Sequence, residues 1–257
     1  DDLKRKVMLA TILGTAQATL TKFPYLRKIW NKNTEEERLL GVSLTGIMDN
    51  PLTNGKKHGL EKTLKQLREV AVETNKEWSA IFGIPQSTAI TCIKPSGTVS
   101  QLVDSSSGIH PRHSDYYIRT VRGDNKDPLT NFMVDSGIPN EADFMKPDTQ
   151  TVFSFPMKSP KNSVVRNDMT AIEQLEMWLL YQRHWCEHKP SVTVSVRDEE
   201  WMEVGAFVFK HFDEMSGVSF LPHSDHTYQQ APYQDCTEAV YNDFSSKFGH
   251  IDWDKFQ

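Results

Sequence analysis

The sequence predicts an α/β fold, and three observations carry that prediction. Short β-rich runs alternate along the chain with helical patterns of about ten or more residues, the order expected of β–α units with parallel strands. Glycine and proline punctuate the joins between these segments. The 257 residues, 38% hydrophobic and 25% charged, have ordinary globular usage and suffice to bury a core without disulfide staples.

The elements follow in order. Residues 3 to 20 alternate polar and apolar positions in a helical manner, and Pro24 lies beyond them as a stop. Thr34 and Glu37 have capping-box spacing, which predicts a helix start there, and Leu39 to Gly46 reads as a short helix running into a glycine-bounded strand. Residues 57 to 80 place Leu60, Leu64, Leu67, Ala71 and Trp78 on one helical face, ended by Gly83. Thr88 to Ile93 is a β-rich run, and a loop begins at Lys94. Asp127-Pro128 opens a helix that Gly137 closes. Thr151 to Phe155 is a strand. Residues 170 to 187 form a helix with Ile172, Leu175, Leu179 and Gln182 on one face. Ser191 to Val196 is a strand, Asp198 caps a helix running to about Met215, Gly217 to Leu221 is a strand, and residues 235 to 248 form a last amphipathic helix. Trp78, Trp178, Trp185 and Trp201 fall at helical spacings that suit a core.

Composition removes several function classes. A net charge of −5 is opposite to that of a protein whose main task is gripping nucleic acid. No run approaches the roughly 18 apolar residues of a membrane span. Cys92, Cys186 and Cys236 are odd in number and widely spaced. That argues against a disulfide scaffold or a cysteine zinc site and for a reducing, cytoplasmic setting. The chain opens on Asp1-Asp2-Leu3, without Met and within a helical pattern, so a piece of a longer polypeptide is expected.

In parallel α/β folds ligands bind beyond the carboxyl ends of strands, so the loops after Ile93, Val196 and Leu221 are the informative ones. Lys94-Pro95-Ser96-Gly97-Thr98-Val99-Ser100-Gln101 mixes one glycine with three hydroxyls. Gly97 lets the backbone approach a ligand, and free N–H groups there can hold an anion. The spacing matches neither a Walker A loop nor Gly-x-Gly-x-x-Gly; the alternative is a turn rich in small polar residues. Downstream, His110, Arg112, His113, Tyr116, Tyr117, Arg119 and Arg122 form a basic and aromatic cluster. It is suited to polyphosphate or to base stacking, or else is a solvated loop entering an edge strand. His184-Trp185-Cys186-Glu187-His188 reads literally as a zinc-peptidase string, with His184 and His188 as ligands and Glu187 as base. Its alternative is a helix terminus whose histidines favour the dipole. His223-Ser224-Asp225-His226 is a similar pair of histidines after a strand.

Four segments in order carry a family resemblance: Glu37 to Gly46, Lys94 to Ser100, Ser107 to Ser114, and Glu187 to Thr193, joined by Phe220-Leu221-Pro222-His223 and Gln230-Ala231-Pro232-Tyr233. Together they resemble the carboxyl-terminal half of the catalytic barrel of adenosylcobalamin-dependent (class II) ribonucleotide reductases. The resemblance implies half of a ten-stranded α/β barrel, with residues 1–257 forming one partial catalytic-barrel domain. It implies reduction of ribonucleotides, with triphosphates as the expected substrates, at the 2′ carbon by a cysteine thiyl radical raised with adenosylcobalamin. Substrate phosphates would be held at Ser96, Gly97, Thr98, Val99 and Ser100. His110, Arg112, His113 and His223 are candidate substrate or cofactor contacts. A thioredoxin-type dithiol and the remainder of the polypeptide are the implied partners. The family's Asn-Pro-Cys-x-Glu finger loop, its reducing cysteine pair and its cysteine tail have no counterpart here. No catalytic cysteine and no metal ligand is therefore assigned, and the isolated chain is expected to be inactive. The rival readings are a non-catalytic nucleotide- or phosphate-binding module and the zinc hydrolase.

Overall fold

The structure is a computed structural model and describes residues 1–223 and 228–256. In chain order the elements are α1 (Asp2–Gln17), α2 (Lys28–Glu37), β1 (Val42–Ser43), α3 (Leu60–Phe82), β2 (Thr91–Cys92), α4 (Val99–Leu102), β3 (Tyr116–Asp124), α5 (Pro128–Asp135), β4 (Asn140–Ala142), β5 (Gln150–Lys158), α6 (Ala171–His184), β6 (Val192–Val196), α7 (Trp201–Lys210), β7 (Val218–Pro222), β8 (Tyr233–Asp235) and α8 (Glu238–Ser246). Short 3-10 turns lie between several of them. The chain divides into two compact units.

The first unit comprises Asp1–Pro111 and Met169–His223. It holds the expected parallel strands, in two pairs. β1 runs beside β2 with Val42 opposite Thr91, and β6 runs beside β7 from Val192 opposite Val218 to Val196 opposite Pro222. β6 is buried at alternate residues, Val192, Val194 and Val196, as a half-covered strand should be. α3 buries Leu60, Leu64, Leu67 and Ala71 and stops at Gly83, whose φ is 66°. That left-handed turn is open to glycine at little cost. α6 starts on a capping box between Thr170 and Glu173 and buries Leu175, Trp178 and Tyr181. Its buried polar tips are satisfied: Tyr181 donates to the Thr53 carbonyl at 2.8 Å and Trp178 to that of Pro190 at 3.3 Å. α1 meets α3 along a polar seam, where Asn75 Nδ2 donates to Thr15 Oγ1 at 3.0 Å.

Several boundaries differ from expectation. Thr34 caps nothing. It lies in the last turn of α2, which ends at Arg38 with φ 47°. The Thr-x-x-Glu string therefore falls at a helix end, where α2 already owns those backbone groups. α7 is fronted by a 3-10 turn in which the Glu200 carboxylate accepts the Arg197 N–H at 2.8 Å, in place of an Asp198 cap. Trp178 and Trp185 are core residues, whereas Trp201 stays 38% exposed.

The second unit comprises Arg112–Asp168 and the described part of the carboxyl-terminal stretch, residues 228–256. Its sheet has the order β4-β5-β3-β8 and is antiparallel throughout, against the expectation of parallel strands. β3 and β5 pair over nine residues, from Tyr116 opposite Lys158 to Asp124 opposite Gln150. α5 begins as expected, with the Asp127 carboxylate accepting the Leu129 N–H at 2.9 Å. α8 is capped by Thr237, and just beyond its end Phe248 packs on Phe155 of β5, ring centres 5.7 Å apart.

Candidate functional site

The parallel register of β1 and β2 sends both strands' exits to one edge of the first unit. Two hydroxyl-bearing loops leave there, Leu44-Thr45-Gly46 and Lys94-Pro95-Ser96-Gly97-Thr98. The second is stitched in place by its own polar groups. The Lys94 N–H donates to Ser43 Oγ at 3.0 Å. The Ser96 N–H donates to Ser107 Oγ at 2.8 Å. Ser100 is buried, and its hydroxyl donates back to the Ser96 carbonyl. Lys94 Nζ turns away from the loop and donates to the Lys189 carbonyl at 2.9 Å.

What remains unspent faces outward. Gly97, Thr98 and Val99 are exposed, and among the described residues their N–H groups have no protein acceptor. The Thr98 hydroxyl caps no backbone group. Among the described residues, the one hydrogen-bond contact of Ser96 Oγ is with Thr45 Oγ1, at 3.3 Å. A Cβ added at Gly97 would meet nothing within 4 Å, and its φ is not positive, so the fold itself makes no demand for glycine there. Gly108 is the opposite case. Its φ is 53°, and a Cβ would lie 3.2 Å from Ile93 Cγ2 and 3.4 Å from the Lys94 carbonyl oxygen. Glycine is required there to close the 107–109 turn onto the exit of β2.

The four candidate contacts divide between the two units, His110 and His223 in the first and Arg112 and His113 in the second. His110 belongs to the first unit, where both ring nitrogens are engaged: Nδ1 lies 2.8 Å from the Ser107 carbonyl and Nε2 accepts the Thr193 N–H at 3.0 Å. A carbonyl only accepts and an N–H only donates, so the ring is the neutral Nδ1–H tautomer. Burial holds its pKa below the usual histidine value. His110 is thus a brace between the loop and β6. His223, also in the first unit, donates its backbone N–H to the Val196 carbonyl at 2.7 Å. Its neighbours Ser224, Asp225 and His226, singled out in the sequence, lie outside the described residues. Arg112 and His113 belong to the second unit. Arg112 is 5% exposed and points Nη1 at the Tyr117 hydroxyl, 3.4 Å away. His113 is 3.0 Å from Asp235 and stacks on Tyr233 with ring centres 5.6 Å apart. Burial first, then the Arg166 charge, lowers its pKa, while Asp235 opposes both.

The zinc-peptidase string comes apart in three dimensions. α6 ends at His184, so Glu187 and His188 do not continue its face. Glu187 Oε2 accepts the Ile90 N–H at 2.7 Å, and His188 Nε2 lies 2.8 Å from the Leu40 carbonyl. Among the described residues no group of three or more potential ligands gathers. Cys92 and Cys186 are buried, and burial raises both thiol pKa values. Cys236, half-buried, is also raised by burial, with Asp235 adding to it. Neutral, covered thiols of this kind are inert. An open cleft of about 390 Å³ between α3 and α6 is lined by charged groups, among them Lys65, Arg68, Glu69 and Arg183. Its size and charge do not fit a corrin's broad apolar faces.

The sequence singles out the 94–100 loop but not the contacts that Ser43, Thr45 and Ser107 make with it. Ser43-Leu44-Thr45-Gly46 carries the same signal as Ser96-Gly97-Thr98, hydroxyls beside a glycine after a strand, and was legible on that ground.

No family model matches the chain. It is 31% identical over 241 residues to a probable adenosylcobalamin-dependent ribonucleoside-triphosphate reductase of Dictyostelium discoideum, covering 91% of this chain and 31% of that protein. It is 27% identical to the adenosylcobalamin-dependent ribonucleoside-triphosphate reductase of Euglena gracilis, over 95% of this chain and 33% of that one. A crystal structure of a B12-dependent (class II) ribonucleotide reductase superposes on all of this chain and 39% of its own, with a TM-score of 0.85 at 24% identity. The chain therefore spans about a third of the length of the curated relatives it matches. Both the resemblance seen in the motifs and the α/β fold of the ribonucleotide reductase type are borne out.

Proposed function

We infer that this chain is a partial catalytic-barrel domain of an adenosylcobalamin-dependent ribonucleoside-triphosphate reductase, and that Ser96 to Val99 take the phosphate end of the ribonucleotide. The observation that carries this reading is the row of uncommitted donors at the exit of a parallel strand. These are the N–H groups of Gly97, Thr98 and Val99 and the Thr98 hydroxyl, on a loop where nothing in the fold calls for glycine. Successive backbone N–H groups without protein acceptors can make an anion cradle without formal charge. Ser100, buried beneath, keeps the loop's shape and does not reach the ligand.

Adenosylcobalamin supplies the radical when bound. The charged cleft between α3 and α6 does not fit the corrin, and the corrin's contacts are not assigned to this chain. What the chain's own groups do is bind and orient: they fix the phosphates, and so set where the ribose lies relative to a thiol brought by the rest of the polypeptide. A thioredoxin-type dithiol is the proposed reductant, and the cytoplasm the proposed location. Among the described residues no helix is long and apolar enough to cross a membrane.

The test uses the full-length polypeptide. Thr98→Ala removes one phosphate hydrogen bond, which weakens binding of a ribonucleoside triphosphate about tenfold or more, read by equilibrium dialysis. Unchanged binding by both Thr98→Ala and Ser96→Ala would overturn the assignment. The chain on its own, given cofactor, nucleotide and dithiol, yields no deoxynucleotide; detecting any would refute the need for an external thiol.

A further inference from the structure

We propose that Thr45, 51 positions before Ser96 in the chain, is a positioning residue of the phosphate loop that decides whether the Ser96 hydroxyl turns its proton inward or gives it to a phosphate oxygen. The proposal rests on the loop assignment above and adds to it a residue from the neighbouring strand exit.

The argument counts protons. Thr45 has one hydroxyl hydrogen. Its Oγ1 lies 2.9 Å from the Ser106 carbonyl, which can only accept, so that contact uses the hydrogen. Thr45 Oγ1 is also 3.3 Å from Ser96 Oγ, and with its own hydrogen spent it accepts from Ser96. In this arrangement Ser96 presents lone pairs outward, the wrong polarity for an anion.

A second arrangement lies close by. The Ser106 carbonyl also accepts the Gly46 N–H at 2.7 Å, so it stays satisfied when Thr45 turns away. Thr45 then donates to Ser96 Oγ, and the Ser96 hydrogen is free for a phosphate oxygen. Two O–H bonds rotate; no proton changes its heavy atom and no charge moves. The bond received from Thr45 polarises the Ser96 O–H and strengthens its donation. Thr45 is exposed, so the rotation meets no packed core. An anion selects the second arrangement because it interacts favourably with that one alone.

The full-length enzyme tests this in two readouts: the dissociation constant of a ribonucleoside triphosphate without cofactor, and kcat and KM with it. Thr45→Val keeps the shape and removes the hydroxyl. It raises both the dissociation constant and KM about three- to tenfold with kcat unchanged, and Thr45→Ser restores both. Because Thr45 acts through Ser96, adding Thr45→Val to Ser96→Ala weakens binding no further. Additive losses in that cycle, wild-type binding by Thr45→Val, or failure of Thr45→Ser to rescue overturns the proposal. So does a Thr45→Val enzyme that loses kcat together with thermal stability, since that marks a structural role. If Thr98→Ala weakens binding and Thr45→Val does not, the loop assignment stands and Thr45 alone falls. If neither they nor Ser96→Ala matter, both readings fall together.

Discussion

Replacing His110 tests the internal bracing of the loop most directly, because the ring's two contacts fix its protonation state. His110 Nε2 is the acceptor for the Thr193 N–H, on β6 beside the β7 pairing. His110→Ala leaves that amide with no acceptor and opens a gap, which costs about 2–3 kcal/mol. The Ser107 carbonyl suffers less, because it also accepts the His110 backbone N–H at 3.0 Å. His110→Gln keeps an acceptor at the end of the side chain and costs about 1 kcal/mol. Acid should act like a partial substitution. Burial lowers the ring's pKa from the ordinary value of 6.5. The folded state therefore binds fewer protons than the unfolded state as pH falls past 6.5. The stability this ring provides is complete above about 6.5 and is lost as pH falls through the lowered folded value. The assay is amide hydrogen exchange of Thr193 in the full-length protein, corrected for intrinsic exchange, from pH 7.5 to 5. Protection should fall with acid in the wild type and be flat in His110→Gln. A wild-type profile as flat as that of the variant, or a ring shown by nitrogen NMR to be cationic at pH 7, would refute the reasoning.

Glu187→Ala should destabilise the first unit by about 1–3 kcal/mol by orphaning the Ile90 N–H, whereas Glu187→Gln keeps an acceptor and is nearly neutral in thermal unfolding; loss of a zinc-dependent hydrolysis would point instead to the peptidase reading. Gly123→Ala places a Cβ against Thr130 Oγ1 and Phe153 and should cost about 1–3 kcal/mol, read as reduced exchange protection along β3; wild-type protection would refute that packing. Lys94→Met should loosen the tie to the Lys189 carbonyl and lower thermal stability while weakening nucleotide binding less than Thr98→Ala does. A hundredfold binding loss at unchanged stability would make Lys94 the phosphate's cation.

Elements whose signals are local were legible. α3 shows its apolar face at helical spacing and ends on Gly83; α5 announces itself with Asp127-Pro128. The second unit's sheet was legible only in Thr151 to Phe155, which falls within β5; its other strands pair at long range. Arg122 in β3 is a surface residue whose Nε reaches in to donate to the buried Asp143 carboxylate at 2.6 Å. That contact holds the Asp143 pKa below the ordinary carboxylate value. Gln230 turns at φ 58° without glycine. Its buried amide pays back the strain by accepting the Phe144 N–H at 2.8 Å and donating to Glu141 and the Ala142 carbonyl. No pattern in sequence encodes a partner 86 residues away. The same division runs through the site. A glycine among hydroxyls after a strand is readable. That Ser100 faces inward and that His110 is spent on Thr193 depends on which atoms meet them.

For an acidic chain, net charge −5, the proposed anion site invites the objection that long-range repulsion should keep the ligand out. The loop's chemistry answers it. The cation nearest in sequence, Lys94, is committed to the Lys189 carbonyl, so the loop's donors are dipoles, N–H and O–H. Their attraction acts over a few ångströms and depends on direction, while the field of exposed carboxylates is screened over about 8–10 Å of salt solution. A dipolar cradle therefore gives up speed of capture and keeps precision of placement. For the proposed reaction, in which a radical must reach one carbon of a sugar, placement is the quantity that matters. The loop's own hydrogen bonds accord with that proposal: Ser43, Ser107 and Ser100 fix the frame, so that on the proposed reading the exposed N–H groups need not reorganise on binding.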